Sequence, residues 1–292
     1  MSPEEFNQKK PITAAEVDPE NLEDIADYYQ FEVANGFSKI PEQSSLEKMA
    51  AFRQRQIREN KLRVIKATES GQTVGTSIVV LENGAMGKTI KPDEAWAAGT
   101  VIDKSKRSQG IGEKLSYEQD RIARAAGKKS LLTTIAKDNF PSMRLRLKVG
   151  YELDGLDKRP EETNYFYRKN LTADDKPSQD WAQEVRSGNL KLSENKPPEE
   201  KETADQVLVD PADDKTAEQL LASGYKGVYL LRPEDFENEK LIDKNLLVFA
   251  KTVDREKEQR AADQKFQEEK AAGQKSDQEE ISRIRKDIQD LK

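Results

Sequence analysis

The chain has 292 residues, with 49 Lys and Arg against 55 Asp and Glu, and neither Cys nor His. That excludes a disulfide framework, a thiol nucleophile, thiolate or imidazole metal ligation and a Ser-His-Asp triad, and no metal is expected. No apolar run approaches the ~18 residues of a membrane span. The acidic start Met-Ser-Pro-Glu-Glu-Phe carries no apolar leader, and the near-balanced charge gives no reason to expect general nucleic-acid binding. The expectation is a soluble, cytoplasmic protein, with association with a virus particle also compatible with the absence of Cys.

In chain order, Ile12 to Val17 reads as a short strand, and Asp18-Pro19-Glu20 as a helix start. Leu22, Ile25, Ala26 and Tyr29 recur at helical spacing. A second helix is expected from Ser44 or Ser45 to Glu59. Leu62 to Thr68 and Thr73 to Leu81 are β-branched runs separated by Ser70-Gly71-Gln72, a hairpin signal. Ala95 to Ile102 reads as a further strand and Ser130 to Ile135 as another. A short helix follows from Asn139 to Val149, ending at Gly150, and Tyr151 to Leu153 with Tyr165 to Arg168 form a last pair of strands. This order is an α/β (α+β) plan, a mixed central sheet flanked by helices.

Beyond Leu171 the composition changes. Through that residue there are 28 basic and 26 acidic side chains, leaving 21 basic and 29 acidic for the remainder. Pro177, Pro197 and Pro198 mark residues 172–205 as a linker that Trp181 interrupts. Residues 206–253 read as a small αβ unit, with a helix from Thr216 to Ser223 closed by Gly224, then strands Tyr225 to Leu231 and Leu246 to Ala250. Residues 254–292 read as a charged helix in which Ile281, Ile284, Ile288 and Leu291 have heptad spacing, either a coiled coil or a docking helix. The segment Ser223-Gly224-Tyr225-Lys226-Gly227-Val228 with Leu246 to Ala250 also looks like the closing part of modules in polyvalent proteins of phages and mobile elements; an ordinary strand–loop–strand unit explains it as well.

The stretch that carries chemistry begins at Ile102. A strand ends, the loop Arg107-Ser108-Gln109-Gly110-Ile111-Gly112 follows, and a helix starts at Glu113-Lys114. Glycines leave the backbone uncovered where a first helical turn presents unpaired N–H groups and the positive end of its dipole, a combination that binds phosphate. Arg107 and Lys114 add charge. Asn139, Ser142 and Arg146 share one face of the later short helix.

With both segments in this order, residues 10 to 171 resemble the GNAT family of acyl-CoA-dependent N-acyltransferases. Arg107-Ser108-Gln109-Gly110-Ile111-Gly112 matches the family's acetyl-CoA signature, with Ile102 in the strand before it. Asn139, Ser142 and Lys148-Val149-Gly150-Tyr151 match its later motif. The resemblance implies domain boundaries at 1–171, with acetyl-CoA as acyl donor and a primary amine as acceptor attacking the thioester directly. It implies that the backbone of Gln109, Gly110, Ile111, Gly112, Glu113 and Lys114 cradles the CoA diphosphate. Backbone groups near Val101 and Ile102 would hold the pantetheine arm and polarise the thioester carbonyl, in a gap where that strand splays from its neighbour after Ser130. Asn139 and the Ser142 side of the short helix would face the cofactor.

The match departs where many family members place a Tyr that protonates the leaving thiolate: here stands Arg146. It is a poor proton donor, so it stabilises thiolate charge, binds the CoA 3′-phosphate with Arg144, or is a solvated charge. Glu94, on the face expected to carry Trp96 and Thr100, is the candidate base, or else a charge entering a strand. Tyr151, Tyr165 and Tyr167 are alternative acids or packed aromatics. Two functions follow: an acetyltransferase, or a catalytically weak GNAT-fold module for assembly, with 254–292 as the surface for a protein partner or self-association.

Overall fold

The computed structural model describes residues 11–42, 44–158, 163–172, 206–236 and 244–251. Trp181, the expected linker beyond Thr172 and the expected helix over 254–292 lie outside the described residues. The elements in order are β1 (Thr13–Glu16), α1 (Leu22–Ala34), α2 (Leu46–Arg58), β2 (Leu62–Glu69), β3 (Gln72–Val80), β4 (Glu94–Ile102), α3 (Ile111–Ala125), β5 (Ser130–Ala136) and α4 (Phe140–Lys148). They continue with β6 (Glu152–Lys158), β7 (Thr163–Asn170), β8 (Gln206–Val209), α5 (Asp214–Ala222), β9 (Tyr225–Leu231) and β10 (Leu246–Lys251). The mixed α/β class expected from the sequence is what forms.

Local chemistry sets most boundaries. Helix α1 starts later than Asp18-Pro19-Glu20 implies, because the Asp18 carboxylate accepts the Glu20 N–H at 2.9 Å and turns the chain there. Asn21 then caps the helix, accepting the Asp24 N–H at 3.0 Å. Ser45 caps α2 and Asp213 caps α5 in the same way. The β2–β3 hairpin closes at Ser70 and Gly71, both at positive φ (53° and 82°), as a two-residue turn with left-handed backbone requires. Strand β8 is an addition to the expected elements: its apolar Val207, Leu208 and Val209 open the 206–253 unit ahead of the expected helix.

All ten strands form one sheet in the order β1-β2-β3-β4-β5-β7-β6-β9-β10-β8. The order contains a parallel neighbour pair, β4–β5, among antiparallel ones. Alternation distributes side chains to the two faces of the sheet, and among the described residues a further cluster of Leu208, Leu231, Phe236, Leu246 and Val248 forms on the C-terminal strands. Leu62, Val64, Ile78 and Val80 pack with Ile25, Tyr28, Tyr29, Ala50 and Ile57 of α1 and α2. Ile65, Ala67, Val79 and Ala97 pack on the other face with Ile111, Leu115 and Ile122 of α3 and Met143 and Leu147 of α4. The C-terminal strands join at β6, where Leu153 pairs with Gly227. A Cβ on Gly227 would meet Leu153 Cβ at 2.8 Å, so this join needs glycine. Among the described residues no helix is long and apolar enough to cross a membrane.

Candidate functional site

The parallel pair β4–β5 is short. Glu94, Ala95 and Trp96 pair with Ser130, Leu131 and Leu132, and the pairing stops there. Beyond that point β4 stays with β3, Ile102 facing Gly75, while β5 stays with β7, Ala136 facing Asn164. The two strands therefore part, and the edge of β4 from Ala97 to Ile102 faces a wedge.

Within this edge β4 carries a bulge. Thr76 pairs with Val101 but Ile78 with Ala98, so Gly99 and Thr100 together oppose Ser77. Gly99 has φ +58, which glycine tolerates. The extra residue inverts the alternation: Trp96 and Ala98 pack toward α1 and α2, whereas Thr100 and Ile102 turn toward α3 and α4. This corrects the expectation that Glu94, Trp96 and Thr100 share a face. A lone glycine inside a strand pattern was the available signal.

At the carboxyl end of β4 the chain enters the glycine loop. Arg107, Ser108, Gln109 and Gly110 are exposed, and Ser108 and Gly110 have φ +62 and +76. Gly110 is the N-cap of α3 and brings no side-chain cap. Among the described residues, the main-chain N–H groups from Ser108 to Glu113 have no acceptor, so the positive dipole end of a 15-residue helix is left without a partner at this corner, where Gln109 and Gly110 are exposed and Ile111 and Gly112 buried. Gly112 has a different duty: a Cβ there would meet Leu145 Cδ2 at 2.8 Å and Ile102 Cδ1 at 3.3 Å, so it lets α4 approach α3. The side chains of the corner are tied sideways. Arg107 Nε donates to Ile102 O at 3.4 Å, Lys114 Nζ to Ile12 O at 2.7 Å, and Glu113 pairs with Lys148 at 2.6 Å.

Across the wedge, Asn139 is the N-cap of α4, its Oδ1 accepting the Ser142 N–H at 3.3 Å. Arg146, expected as one of three alternatives, is no solvated charge: it is 3% exposed. Its Nη2 donates to Thr100 Oγ1 at 3.0 Å, and its Nη1 to Gln119 Oε1 at 2.7 Å and Ser116 Oγ at 3.2 Å. The guanidinium thus rests on neutral oxygens from β4 and α3, with the Tyr151 ring 5.1 Å away. Arg144 pairs instead with Asp235 at 3.1 Å.

Glu94 is not brought into this group. It sits at the other end of β4, accepting the Lys91 N–H at 3.0 Å and pairing with Arg168 at 2.9 Å. Burial alone would raise its carboxyl, but the Lys91 N–H and Arg168 outweigh burial and hold it below the ordinary range, which suits a structural anion better than a base. Asp154, bonded by Arg168 and Lys226, is likewise lowered against the effect of burial. Both carboxylates bind protons less readily when folded. Their contribution is therefore complete above the ordinary carboxylate range and is lost as pH falls through the depressed folded values. Glu94→Gln is expected to flatten the fall in unfolding free energy between pH 5 and pH 3, measured by urea denaturation at each pH.

The alternative acids are packed residues. Tyr165 donates its hydroxyl to Pro211 O at 2.6 Å, and Tyr151 and Tyr167 are fully buried with hydroxyls pushed far upward, chiefly by burial.

Residues 22–151 match the family model described as acetyltransferase (GNAT) family. Among solved structures, a GNAT-family acetyltransferase from Streptococcus pneumoniae is 18% identical, over 55% of this chain and 99% of that one, with a TM-score of 0.45. The structure of yncA from Salmonella typhimurium with its cofactor acetyl-CoA is 16% identical, over 58% and 99%, with a TM-score of 0.42. The ribosomal-protein-S18-alanine N-acetyltransferase from Escherichia coli is 14% identical, over 58% and 99%, with a TM-score of 0.41. No curated protein matches the chain.

Proposed function

We propose, from the match of residues 22–151 to the acetyltransferase (GNAT) family model, that the chain transfers acetyl from acetyl-CoA to a primary amine, on a protein or a small molecule. The observation that carries this is the parted β4–β5 pair opening beside a helix start whose main-chain N–H groups have no acceptor. Those N–H groups, from Gln109 to Glu113, take the diphosphate beside the Lys114 N–H, which closes the first helical turn on Gly110 O at 3.1 Å, and Arg107 lies on the rim. The pantetheine arm runs along the β4 edge, where backbone groups of Val101 and Ile102 hold it and polarise the thioester carbonyl. Asn139 and Ser142 line the opposite lip. The amine attacks the thioester directly, so a chain without Cys or His has all the nucleophile it needs in its substrate.

Arg146 takes the place where the resemblance puts a proton-donating Tyr. As a buried cation held by neutral oxygens, it stabilises the thiolate as charge develops. Its burial also favours the second reading, a GNAT fold with weak catalysis that works through contacts made by residues 254–292. Thiol release with a panel of amines separates the two, and deleting 254–292 alters assembly only under the second.

Gly110→Asp tests the diphosphate corner. Aspartate tolerates left-handed backbone better than most residues, so the fold survives, but its carboxylate opposes the diphosphate. At a hundredfold excess over Kd, acetyl-CoA stabilises the wild type by about 2.7 kcal/mol, seen as a rise in Tm, and the variant shows no rise. An equal rise in both proteins contradicts the assignment.

A further inference from the structure

Four side chains from four elements close a hydrogen-bonded ring beside the β4 bulge. The hydroxyl oxygens of Thr100 and of Ser77, which lies opposite the bulge on β3, are 2.9 Å apart. Thr100 Oγ1 accepts from Arg146 Nη2 at 3.0 Å, and Arg146 Nη1 donates to Gln119 Oε1 at 2.7 Å. Gln119 Nε2 closes the ring on Ser77 Oγ and also donates to Ile78 O at 3.0 Å. Ser116 accepts from the same guanidinium at 3.2 Å and donates to Gly112 O at 2.8 Å, which ties the ring to the glycine corner. Ser77, Ser116, Gln119 and Arg146 are buried; Thr100 alone among the five is partly exposed.

The hydrogen count and the charge count both lead out of the ring through Thr100. Ser77 Oγ accepts from Gln119, so its one hydrogen goes to Thr100 at 2.9 Å or to Ala98 O at 3.3 Å, and only the first is an ordinary O–H···O length. Thr100 Oγ1 then accepts twice, from Ser77 and Arg146, and its own hydrogen is left to point away from both. Among the described residues no carboxylate pairs with Arg146, and Asp120 is held by Lys169. A buried cation resting on neutral oxygens keeps its full charge and is costly unless an anion comes to meet it.

We propose that the Thr100 hydroxyl, with Arg146 behind it, holds the departing CoA sulfur as a thiolate, an assignment that rests on the acyl-transfer function above. The amine nitrogen forms the C–N bond at the thioester carbonyl carbon, and the C–S bond breaks with its electron pair staying on sulfur. Thr100 donates a hydrogen bond to that sulfur without giving up its proton. The nitrogen loses its proton to solvent, and CoA leaves as the thiolate, to be protonated only in bulk water. The site thus works without the proton-donating Tyr that the resemblance puts at the Arg146 position.

The consequence is a preference for CoA thiolate over CoA thiol, which is read without any acceptor amine. The full chain is titrated with CoA and with acetyl-CoA by calorimetry from pH 6 to 9. The titratable and charged groups around the ring are Asp120 and Lys169, Tyr151 beside Arg146, and Glu32, whose Oε1 lies 3.6 Å from where a Cβ of Gly99 would stand. Both ligands meet these groups, so acetyl-CoA, which has no titrating sulfur, is the control for them. Relative to acetyl-CoA, CoA affinity is expected to rise roughly tenfold or more across the range, because binding favours the form that has lost its proton. Thr100→Val keeps the β-branched shape, holds acetyl-CoA affinity within about twofold and loses the rise, whereas Thr100→Ser retains it. A wild-type CoA affinity that tracks acetyl-CoA, or a rise unchanged in Thr100→Val, overturns the assignment. So does a Thr100→Val variant that loses affinity for both ligands equally. Absence of acetyl-CoA binding overturns the acyl-transfer function itself. Should Thr100→Val not fold, the ultraviolet spectrum of CoA bound to the wild type at pH 8 decides: thiol rather than thiolate absorbance overturns the assignment.

Discussion

Lys169→Met is expected to destabilise the protein by about 3–5 kcal/mol, a large fraction of the roughly 5–15 kcal/mol an ordinary domain has. Lys169 of β7 is 5% exposed, and its ammonium donates to Asp120 of α3 and to Val149 O at 2.6 Å. The other Asp120 oxygen is buried without a partner among the described residues. Removing the cation leaves a carboxylate in the core that joins α3 to the sheet. Burial already holds the Asp120 carboxyl above its ordinary range with Lys169 in place, and without Lys169 it moves higher still. A raised folded pKa means that the folded state holds the proton better than the unfolded one. The loss is therefore smaller at pH 5 than at pH 8, as urea denaturation at the two pH values will show. The double variant Asp120→Leu with Lys169→Met, which removes both charges, should recover much of the stability; failure to recover would mean the pair is not the cause.

Arg146→Leu is expected to lower thiol release by roughly 100-fold or more, if the guanidinium stabilises charge in the transition state as a preorganised donor does. It also strands Gln119 Oε1, which accepts from Arg146 at 2.7 Å, at a cost of about 1–3 kcal/mol. Arg146→Lys keeps the charge but cannot reach Thr100, Ser116 and Gln119 together, so it restores part of the stability and little of the rate. Denaturation and thiol release measured on both variants separate the structural loss from the chemical one. A rate unchanged in Arg146→Leu removes the residue from the chemistry and leaves it as a support for the β4–α3 contact.

The sequence made local features legible. Hairpin, helices and glycine loop were readable because each is set by neighbours within a few residues: Ser70-Gly71 by backbone sign, and Gly110 by the need for a left-handed residue before α3. What it hid were contacts across the sheet. Arg146 could be read as solvent-exposed because its partners Ser116, Gln119 and Thr100 lie 27 to 46 residues away in sequence. Glu94 was assigned a face by simple alternation, which Gly99 breaks. The buried acid Glu32 of α1, whose carboxylate accepts the Ser38 hydroxyl at 2.6 Å, was overlooked although a signal existed. Ile25, Tyr28, Tyr29 and Glu32 follow the i, i+3, i+4, i+7 stripe, and an acid on an apolar stripe is either paired or put to use.

The strongest test is the crystal structure of the full chain with acetyl-CoA. The account predicts diphosphate oxygens about 2.7–3.2 Å from main-chain nitrogens between Gln109 and Lys114, with the thioester lying against the β4 bulge. A diphosphate bound elsewhere, or this corner empty at saturating acetyl-CoA, would contradict it.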